Sequence, residues 1–260
     1  MISKNQQKLI RALGQNKQRE KHRMFVIEGS TIINDLLTRN ELRADNLVML
    51  TGTAGWIAQS APLCSAAEVK PAVADKDELK KLTSLVTPPE VLAVVKMPDA
   101  ALVTPQRESG HILVFDAIRD PGNLGTIIRT ADWFGFNKLV CSTDSVDTYN
   151  NKVIQSSMGA IVRLQPMYTD LATFIEQAER KKIPVYGTTM DGANLYDAPV
   201  RQDGIIVFGN ESSGIRTELE GWIRHKIRIP DHPIGGSGTE SLNLASSVAV
   251  ICAELRRRER

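Results

Sequence analysis

The sequence predicts an α/β fold in which helices cover a parallel β-sheet. From residue 111 onward, short apolar runs alternate with longer segments of helical pattern. The apolar runs are continuous, which is typical of strands buried on both faces of a parallel sheet. Strands are predicted over "HILVFDAI", "KLVCST", "IPVYGTTM", "GIIVFG" and "HKIRIP".

The segments between these strands carry apolar residues at helical spacing. In "NLGTIIRTADWFGF", Ile127, Ala131 and Phe134 recur at this spacing, so they would share one helix face. Further helices are predicted over "NNKVIQSSMGAIV", "LATFIEQAERKK" and "SLNLASSVAVICAELRRR". In open parallel sheets, ligands bind outside the carboxyl ends of the strands, so the residues after each strand are the candidates for function.

The first 97 residues form a separate, less regular α/β region. "MFVIEG" predicts a strand, and "STIINDLL" predicts a helix capped by Ser30 or Thr31. A stretch from Pro98 to Gly110 is rich in Pro, Ser, Thr and charge, which favours a linker. The predicted organisation is a domain over residues 1–97, a linker over 98–110 and a second domain over 111–260.

Composition excludes several classes of protein. No apolar run approaches the ~18–20 residues that cross a bilayer, and the N-terminus lacks the apolar centre of a secretory signal. Cys64, Cys141 and Cys252 are widely spaced and odd in number, which indicates buried reduced thiols in a cytoplasmic protein. The four His are scattered, with no CxxC or HExxH motif, so no metal site is expected.

The N-terminal segment is basic. Residues 1–40 hold eight Lys or Arg against three acids, on a chain of net charge +2. This pattern is typical of polyanion binding, although a solvated helix face remains an alternative. The densest cluster, and the predicted polyanion contact, consists of Lys17, Arg19, Lys21 and Arg23.

Polar residues follow three of the predicted strands, in loops that are rich in glycine. Each has a structural alternative: Asn123 or Ser241 as a helix cap, and Glu211 as a charge favouring a helix N-terminus. Arg129, inside an apolar helix, is expected to be buried and to need partners. No GxGxxG, P-loop or GxSxG motif is present. The residues after the strands are Asn123 and Arg129, then Gly209, Asn210 and Glu211, then Ser241 and Asn243.

"DPGNLGTIIRTADWFGF", "VFGNESSGI" and "IPDHPIGGSGTESLNLASSVAV" resemble the three ordered motifs of the SpoU/TrmH family of the SPOUT class. The resemblance covers residues from about 111 to 256 and implies an RNA 2'-O-ribose methyltransferase that uses S-adenosylmethionine. It further implies a deep C-terminal trefoil knot and a homodimer packed through it. The first 97 residues, above all "REKHRMFVIEG", resemble the family's small RNA-binding domain, which favours rRNA as the substrate.

The resemblance also implies roles for single residues. Arg129 would grip a phosphate and stabilise the developing alkoxide of the ribose. It is not expected to act as a general base, because its guanidinium stays protonated in proteins. Asn123, Glu211, Ser241 and Asn243 would hold Arg129 and the ribose in place. The loop Asp231–Glu240 is longer than the family pattern. The implied cofactor contacts are Thr188, Thr189, Phe208, Gly209, Asn210, Ile229, Pro230, Ser241 and Leu242.

Two alternative functions stay open at this point. One is an RNA-binding relative that has lost catalysis, which need not bind the cofactor. The other is a tRNA 2'-O-methyltransferase, although the family's tRNA enzymes tend to lack the N-terminal domain.

Overall fold

A computed structural model describes residues 2–83, 85–99, 104–106, 110–232 and 241–259. It divides into two compact units. The first comprises Met1–Asp99 and Tyr149–Arg163, and the second comprises Ala100–Thr148 and Leu164–Arg260. Part of the predicted linker (100–103 and 107–109) and most of the long loop (233–240) lie outside the described residues.

Helices and strands alternate through the first unit. The helices are α1 (Lys4–Ala12), α2 (Asn16–His22), α3 (Ser30–Thr38), α4 (Ala54–Ala66) and α5 (Lys76–Lys80). The strands are β1 (Met24–Glu28), β2 (Leu47–Gly52), β3 (Ala72–Val73) and β4 (Val91–Lys96).

The strands described in this unit form one sheet in the order β1-β4-β2-β3, antiparallel except for the β2–β3 pair. Its strands bury side chains on both faces. On one face, residues of α3 and α4 such as Leu36 and Trp56 pack with Phe25 of β1. On the other face, Ile10 of α1 and Leu79 of α5 pack in a second core. This unit is therefore a sheet between two helical layers, and the predicted strand "MFVIEG" is confirmed.

The predicted cap of α3 is wrong. The residue before the helix is Gly29, which has a φ of +108° and provides no side-chain cap. Glycine adopts this backbone conformation at little cost, and it sends the chain from β1 directly into the helix at Ser30. Ser30 instead donates its hydroxyl to the Glu90 carboxylate.

The second unit contains the regular α/β pattern. Its helices are α6 (Pro121–Trp133), α8 (Leu171–Arg180), α9 (Thr217–Glu220) and α10 (Leu244–Arg258). Between them in sequence, α7 (Asn151–Ser157) and a 3-10 turn (Ala160–Val162) lie in the segment that belongs to the first unit. Its strands are β5 (Gly110–Phe115), β6 (Leu139–Ser142), β7 (Met167–Thr169), β8 (Val185–Asn194), β9 (Asp203–Phe208) and β10 (His225–Arg228).

The segment Tyr149–Arg163 departs from the predicted domain division, which assigned it to the second domain. Ile154 of α7 is buried in the core formed by β1, α3 and α4. The Gln155 side chain donates a hydrogen bond to the backbone carbonyl of Glu28. Gly159 lies so close to Leu36 that an added Cβ would stand 3.4 Å from that side chain. The chain therefore contributes a helix to the first unit from a position after β6.

The predicted parallel sheet is confirmed. The strands described in the second unit pair in the order β10-β8-β9-β5-β6-β7, and every pair is parallel. The direction of winding changes between β5 and β9, which is where ligands bind in such folds. The three cysteines are free and buried, as predicted. In the described ranges, no helix is long and apolar enough to cross a membrane.

Candidate active site

A cavity of about 810 Å³ opens at the carboxyl ends of β9 and β10 and beside the middle of β8. The segments that follow β9 and β10 contribute to its wall, and the start of α10 closes one side. Its size lies within the range of small-molecule sites. The residues around it include 188–191, 208–215, 226–232, Ser241, Leu242, Leu244, Ser247 and Ile251.

The structure brings together the residues predicted to contact the cofactor. All nine line this one cavity, although they come from four separate stretches of sequence. Their role in binding stays a prediction. They are Thr188, Thr189, Phe208, Gly209, Asn210, Ile229, Pro230, Ser241 and Leu242.

The wall after β9 is a tight loop that leaves no room for a side chain at Gly209. Asn210 and Gly214 exchange two backbone hydrogen bonds of 2.9 Å each. An added Cβ on Gly209 would lie 2.3 Å from the carbonyl carbon of Gly214 and 2.4 Å from the nitrogen of Ile215. The Asn210 side chain also donates to the carbonyl of Ala117 at 2.7 Å, which anchors the loop to the end of β5.

The cavity fits a ligand with both polar and apolar parts, such as S-adenosylmethionine. The Thr189 hydroxyl oxygen is buried in the wall, and its hydrogen bond lowers the pKa of the neighbouring Asp191 carboxylate. These two side chains provide part of the polar lining of the cavity. Phe208 and Leu244 supply apolar surface, and the 208–210 backbone is open to close approach.

A cluster of three polar side chains lies beside the cavity. Glu211 Oε1 accepts hydrogen bonds from the Asn123 side chain at 2.5 Å and from the Asn243 side chain at 3.2 Å. The backbone N–H of Leu244 points at the same oxygen from 3.4 Å. Asn243 also donates to the Asn123 side-chain oxygen at 3.1 Å. The cluster thus joins α6, the loop after β9 and the start of α10.

The residues that cap α6 and α10 are not the candidates Asn123 and Ser241 that the sequence suggested. Asp120 caps α6, with its carboxylate accepting the backbone N–H of Asn123. Asn243, not Ser241, caps α10. Asn123 therefore uses its side chain for the cluster. The structural alternative for Glu211, a charge that favours a helix N-terminus, holds in part, because its carboxylate lies at the N-terminus of α10.

The expectation that Arg129 is buried is wrong, and it does not join the cluster. Its side chain is exposed, with no ion pair or hydrogen bond to any described residue. Ile127 and Ile128 belong to the buried face of α6, whereas Thr126, Arg129 and Trp133 form an exposed stripe. Positions six apart differ by roughly 120° around a helix, so Arg129 points away from Asn123.

A charged network that the sequence analysis missed fixes the loops around the cluster. The Arg216 guanidinium lies 2.6 Å from the buried Asp116 carboxylate at the end of β5 and 3.0 Å from Asp144. Arg119 also contacts Asp144 at 2.9 Å. A hydrogen bond from Ser142, together with Arg216, holds the pKa of Asp144 below its usual value. The sequence feature that could have indicated this network is the acidic residue Asp116, directly after β5.

The predicted RNA contacts separate into three kinds. Arg19 is only 3% exposed, and its guanidinium donates to the carbonyls of Leu13 and Gly14 at 2.9 Å. The expectation of an exposed cation is therefore wrong for Arg19. Arg23 donates to the carbonyl of Pro98. Lys17 and Lys21 are exposed on α2, one helical turn apart.

The fold and this site define an open parallel α/β protein with a ligand cavity at the carboxyl ends of β9 and β10, on one side of its winding change, and with a polar cluster beside the cavity. Residues 110–253 match the SpoU rRNA Methylase family, and residues 4–93 match the MRM3-like substrate binding domain. The chain belongs to the SpoU rRNA Methylase family and is a SPOUT-class methyltransferase.

Similar proteins span the whole chain. The 23S rRNA (guanosine(2553)-2'-O)-methyltransferase RlmP of Bacillus subtilis is 27% identical over 98% of this chain and 97% of its own length. A TrmH-family protein from Porphyromonas gingivalis has a TM-score of 0.83 at 34% identity, with 99% of both chains covered. The SpoU methyltransferase AviRb from Streptomyces viridochromogenes, solved with AdoMet, has a TM-score of 0.80 at 26% identity, with coverage of 99% and 98%.

Proposed function

We propose that this protein transfers a methyl group from S-adenosylmethionine to a ribose 2'-hydroxyl of rRNA. The observation that carries the proposal is the polar cluster of Asn123, Glu211 and Asn243 at the edge of the cavity. A cofactor in that cavity and a ribose at the cluster would meet at the carboxyl ends of the strands. AviRb, which is similar over nearly its whole length, was solved with this cofactor.

The chain's own residues position the reactants. S-adenosylmethionine, when bound, supplies an electrophilic methyl group. The Oε1 atom of Glu211 accepts hydrogen bonds from Asn123 and Asn243, which fix the position of the carboxylate. Its second oxygen, Oε2, would face a ribose hydroxyl. Alignment of two reactants in this way can lower a barrier by several kcal/mol, and it requires neither a metal nor a covalent nucleophile. Within the described residues, no group of His, Cys, Asp and Glu could hold a metal ion.

We place Arg129 on the RNA rather than in the cluster. Its guanidinium is exposed on α6 and has no acidic partner in the described part of the chain, so it is available to grip a phosphate in the bidentate manner that arginine favours. Because it points away from the Asn123 of its own chain, the ribose whose developing alkoxide it would stabilise is one held at the cluster of a second copy of the chain, and the proton would leave to a phosphate oxygen or to water.

We also propose a homodimer that packs through α6 and α10. Trp133 on α6 is 84% exposed, which is unusual for so large an apolar side chain. Trp133 and Arg129 lie on the same exposed side of α6. A partner subunit that covers Trp133 would therefore lie next to Arg129. We further propose a trefoil knot in the C-terminal part of the chain and a cytoplasmic location. Sedimentation that finds a stable monomer at micromolar concentration would contradict the dimer.

The RNA substrate follows from the first unit and the relatives. Residues 4–93 match a substrate-binding domain, and the name of RlmP specifies a guanosine of 23S rRNA. A tRNA substrate is the second candidate. Mapping 2'-O-methylation in rRNA and tRNA from a strain that lacks this protein tests both. We expect one rRNA position to lose its methyl group and to regain it when the wild-type protein is restored. Loss confined to tRNA would contradict the proposal.

A further inference from the structure

A second basic surface lies on α1 and the end of α5, apart from the segment predicted to bind RNA. Lys4, Lys8 and Arg11 follow one another at intervals of four and three residues and are exposed. They therefore share one face of α1. The opposite side of the helix buries Ile10 in the core against the sheet.

The end of α5 extends this surface. The Arg11 side chain donates a hydrogen bond to the backbone carbonyl of Lys81 at 2.9 Å, and Lys80 and Lys81 are both exposed. Leu79 of α5 packs in the same core as Ile10, so the two helices lie on one face of the sheet. The basic face is defined as Lys4, Lys8, Arg11, Lys80 and Lys81.

The charges of the basic face are not neutralised within the chain. None of the five forms an ion pair with any acid among the residues that the structure describes, and α1 itself contains no acidic residue. Two exposed arginines elsewhere in the first unit do have acidic partners: Arg39 pairs with Asp35 at 3.0 Å, and Arg43 with Asp45 at 3.4 Å. Like charges one turn apart disfavour a helix, so the arrangement costs stability unless an anion is present.

We infer that the basic face binds the phosphate backbone of the RNA substrate. This inference rests on the proposed function, and it moves the main RNA contact from α2 to α1 and α5. Several unpaired cations on one exposed surface attract the phosphates of an RNA strand, and such contacts hold RNA without reading its sequence. Arg19, by contrast, is buried and donates to the carbonyls of Leu13 and Gly14.

The test compares three full-length variants in binding purified 23S rRNA over a range of salt concentrations. The first, Lys4→Gln/Lys8→Gln/Arg11→Gln, removes the α1 cations. The second, Arg39→Gln/Arg43→Gln/Lys96→Gln, removes the same net charge from exposed cations that have acidic or carbonyl partners. The third, Lys17→Gln/Lys21→Gln, removes the exposed cations of α2.

We expect the α1 variant to bind roughly 10–100-fold more weakly near 0.1 M salt, with a log–log salt slope lower by about two to three. Its melting temperature should be equal to or slightly above that of the wild type, since the substituted side chains are exposed and their mutual repulsion is removed. Its affinity for S-adenosylmethionine should match that of the wild type. The partnered-cation variant should bind within about threefold of the wild type, and the α2 variant should lose less than the α1 variant.

Equal losses in the α1 and partnered-cation variants would overturn the inference, because only net charge would then matter. An unchanged α1 variant, or a larger loss in the α2 variant, would overturn it as well. Methylation by the wild-type protein is measured in the same samples. If the wild type transfers no methyl group to RNA, the proposed function fails, whereas normal transfer with unchanged binding by the α1 variant removes only this inference.

Discussion

The polar cluster of the second unit and the basic segment of the first unit differ in how their side chains are held. Asn123, Glu211 and Asn243 hydrogen-bond one another and so have one geometry. In the basic segment, Lys17 and Lys21 are exposed while Arg19 is buried against carbonyls. Reaction geometry requires the first kind of arrangement, whereas phosphate binding tolerates the second. A run of like charges therefore does not by itself define a binding surface.

The largest effect is expected at Arg129, which belongs to the catalytic proposal but lies outside the cluster. Arg129→Ala should lower methyl transfer by at least about 100-fold, because the loss of one electrostatic contact in a transition state has that size. Affinity for S-adenosylmethionine, measured by calorimetry, should stay within a few-fold. Arg129→Lys should also be poor, since an ammonium cannot reproduce the planar fork. Thr126→Ala, on the same exposed stripe, is the control. More than about a tenth of wild-type turnover in Arg129→Ala would remove its central role.

Gly209→Ala tests whether the loop after β9 forms the cofactor wall. The added Cβ would meet backbone atoms of Gly214 and Ile215 at 2.3 and 2.4 Å, so the loop must shift. We expect affinity for S-adenosylmethionine to fall about 10–100-fold, since several loop contacts would be lost together. Gly221→Ala is the matched control, because an added Cβ there meets nothing within 4 Å. Unchanged affinity in Gly209→Ala would exclude this loop from the cofactor site.

Arg19→Gln sharpens the contrast between buried and exposed cations within α2. Removal of the buried guanidinium leaves the carbonyls of Leu13 and Gly14 without their donors, which should cost about 2–4 kcal/mol of unfolding free energy. Lys17→Gln, two residues away and exposed, should change it by less than about 0.5 kcal/mol. Urea unfolding monitored by circular dichroism measures both. Equal stabilities would show that Arg19 is not a structural residue.

The C-terminal helix provides a partnered charge whose contribution depends on pH. Glu254 is 5% exposed and pairs with Arg257 and Arg258, and these partners lower its pKa to about 2. The carboxylate is therefore more acidic in the folded state, so its stabilisation is present above about pH 4.5 and is lost as the pH falls toward 2. Glu254→Gln should cost about 1–2 kcal/mol at pH 7. The difference from the wild type should shrink in urea unfolding below pH 4.5, and a constant difference down to pH 3 would contradict this assignment.

The sequence predicted the second unit well because its signals are local and repeated. Its buried strands are continuous apolar runs, and the loops after them carry glycines and polar residues, which indicated where a ligand binds. The nine cavity residues themselves were named from the resemblance to the SpoU/TrmH motifs. The first unit gave weaker signals. Helix α4 is apolar on all sides and contains Pro62, which hides the helical period, and α2 buries only Arg19.

What the sequence could not supply was the surroundings of single side chains. Arg129 follows the buried residues Ile127 and Ile128, yet its position on α6 exposes its side chain to solvent. Arg19 lies between the exposed residues Lys17 and Lys21, yet it is buried and donates to the carbonyls of Leu13 and Gly14. The pairing of Arg216 with Asp116 joins positions 100 residues apart; the acid directly after β5 indicates one partner, and nothing local indicates the other.

The most direct test of the account is the identity of the methylated atom. The wild-type protein and Arg129→Ala are incubated with labelled S-adenosylmethionine and 23S rRNA from a strain that lacks this protein, and the RNA is digested to nucleosides for mass spectrometry. We predict that the wild type places the label on the ribose of one nucleoside as a 2'-O-methyl group and that Arg129→Ala yields at least about 100-fold less. Label on a base, or no transfer by a wild-type protein that binds both the cofactor and the RNA, would contradict the account.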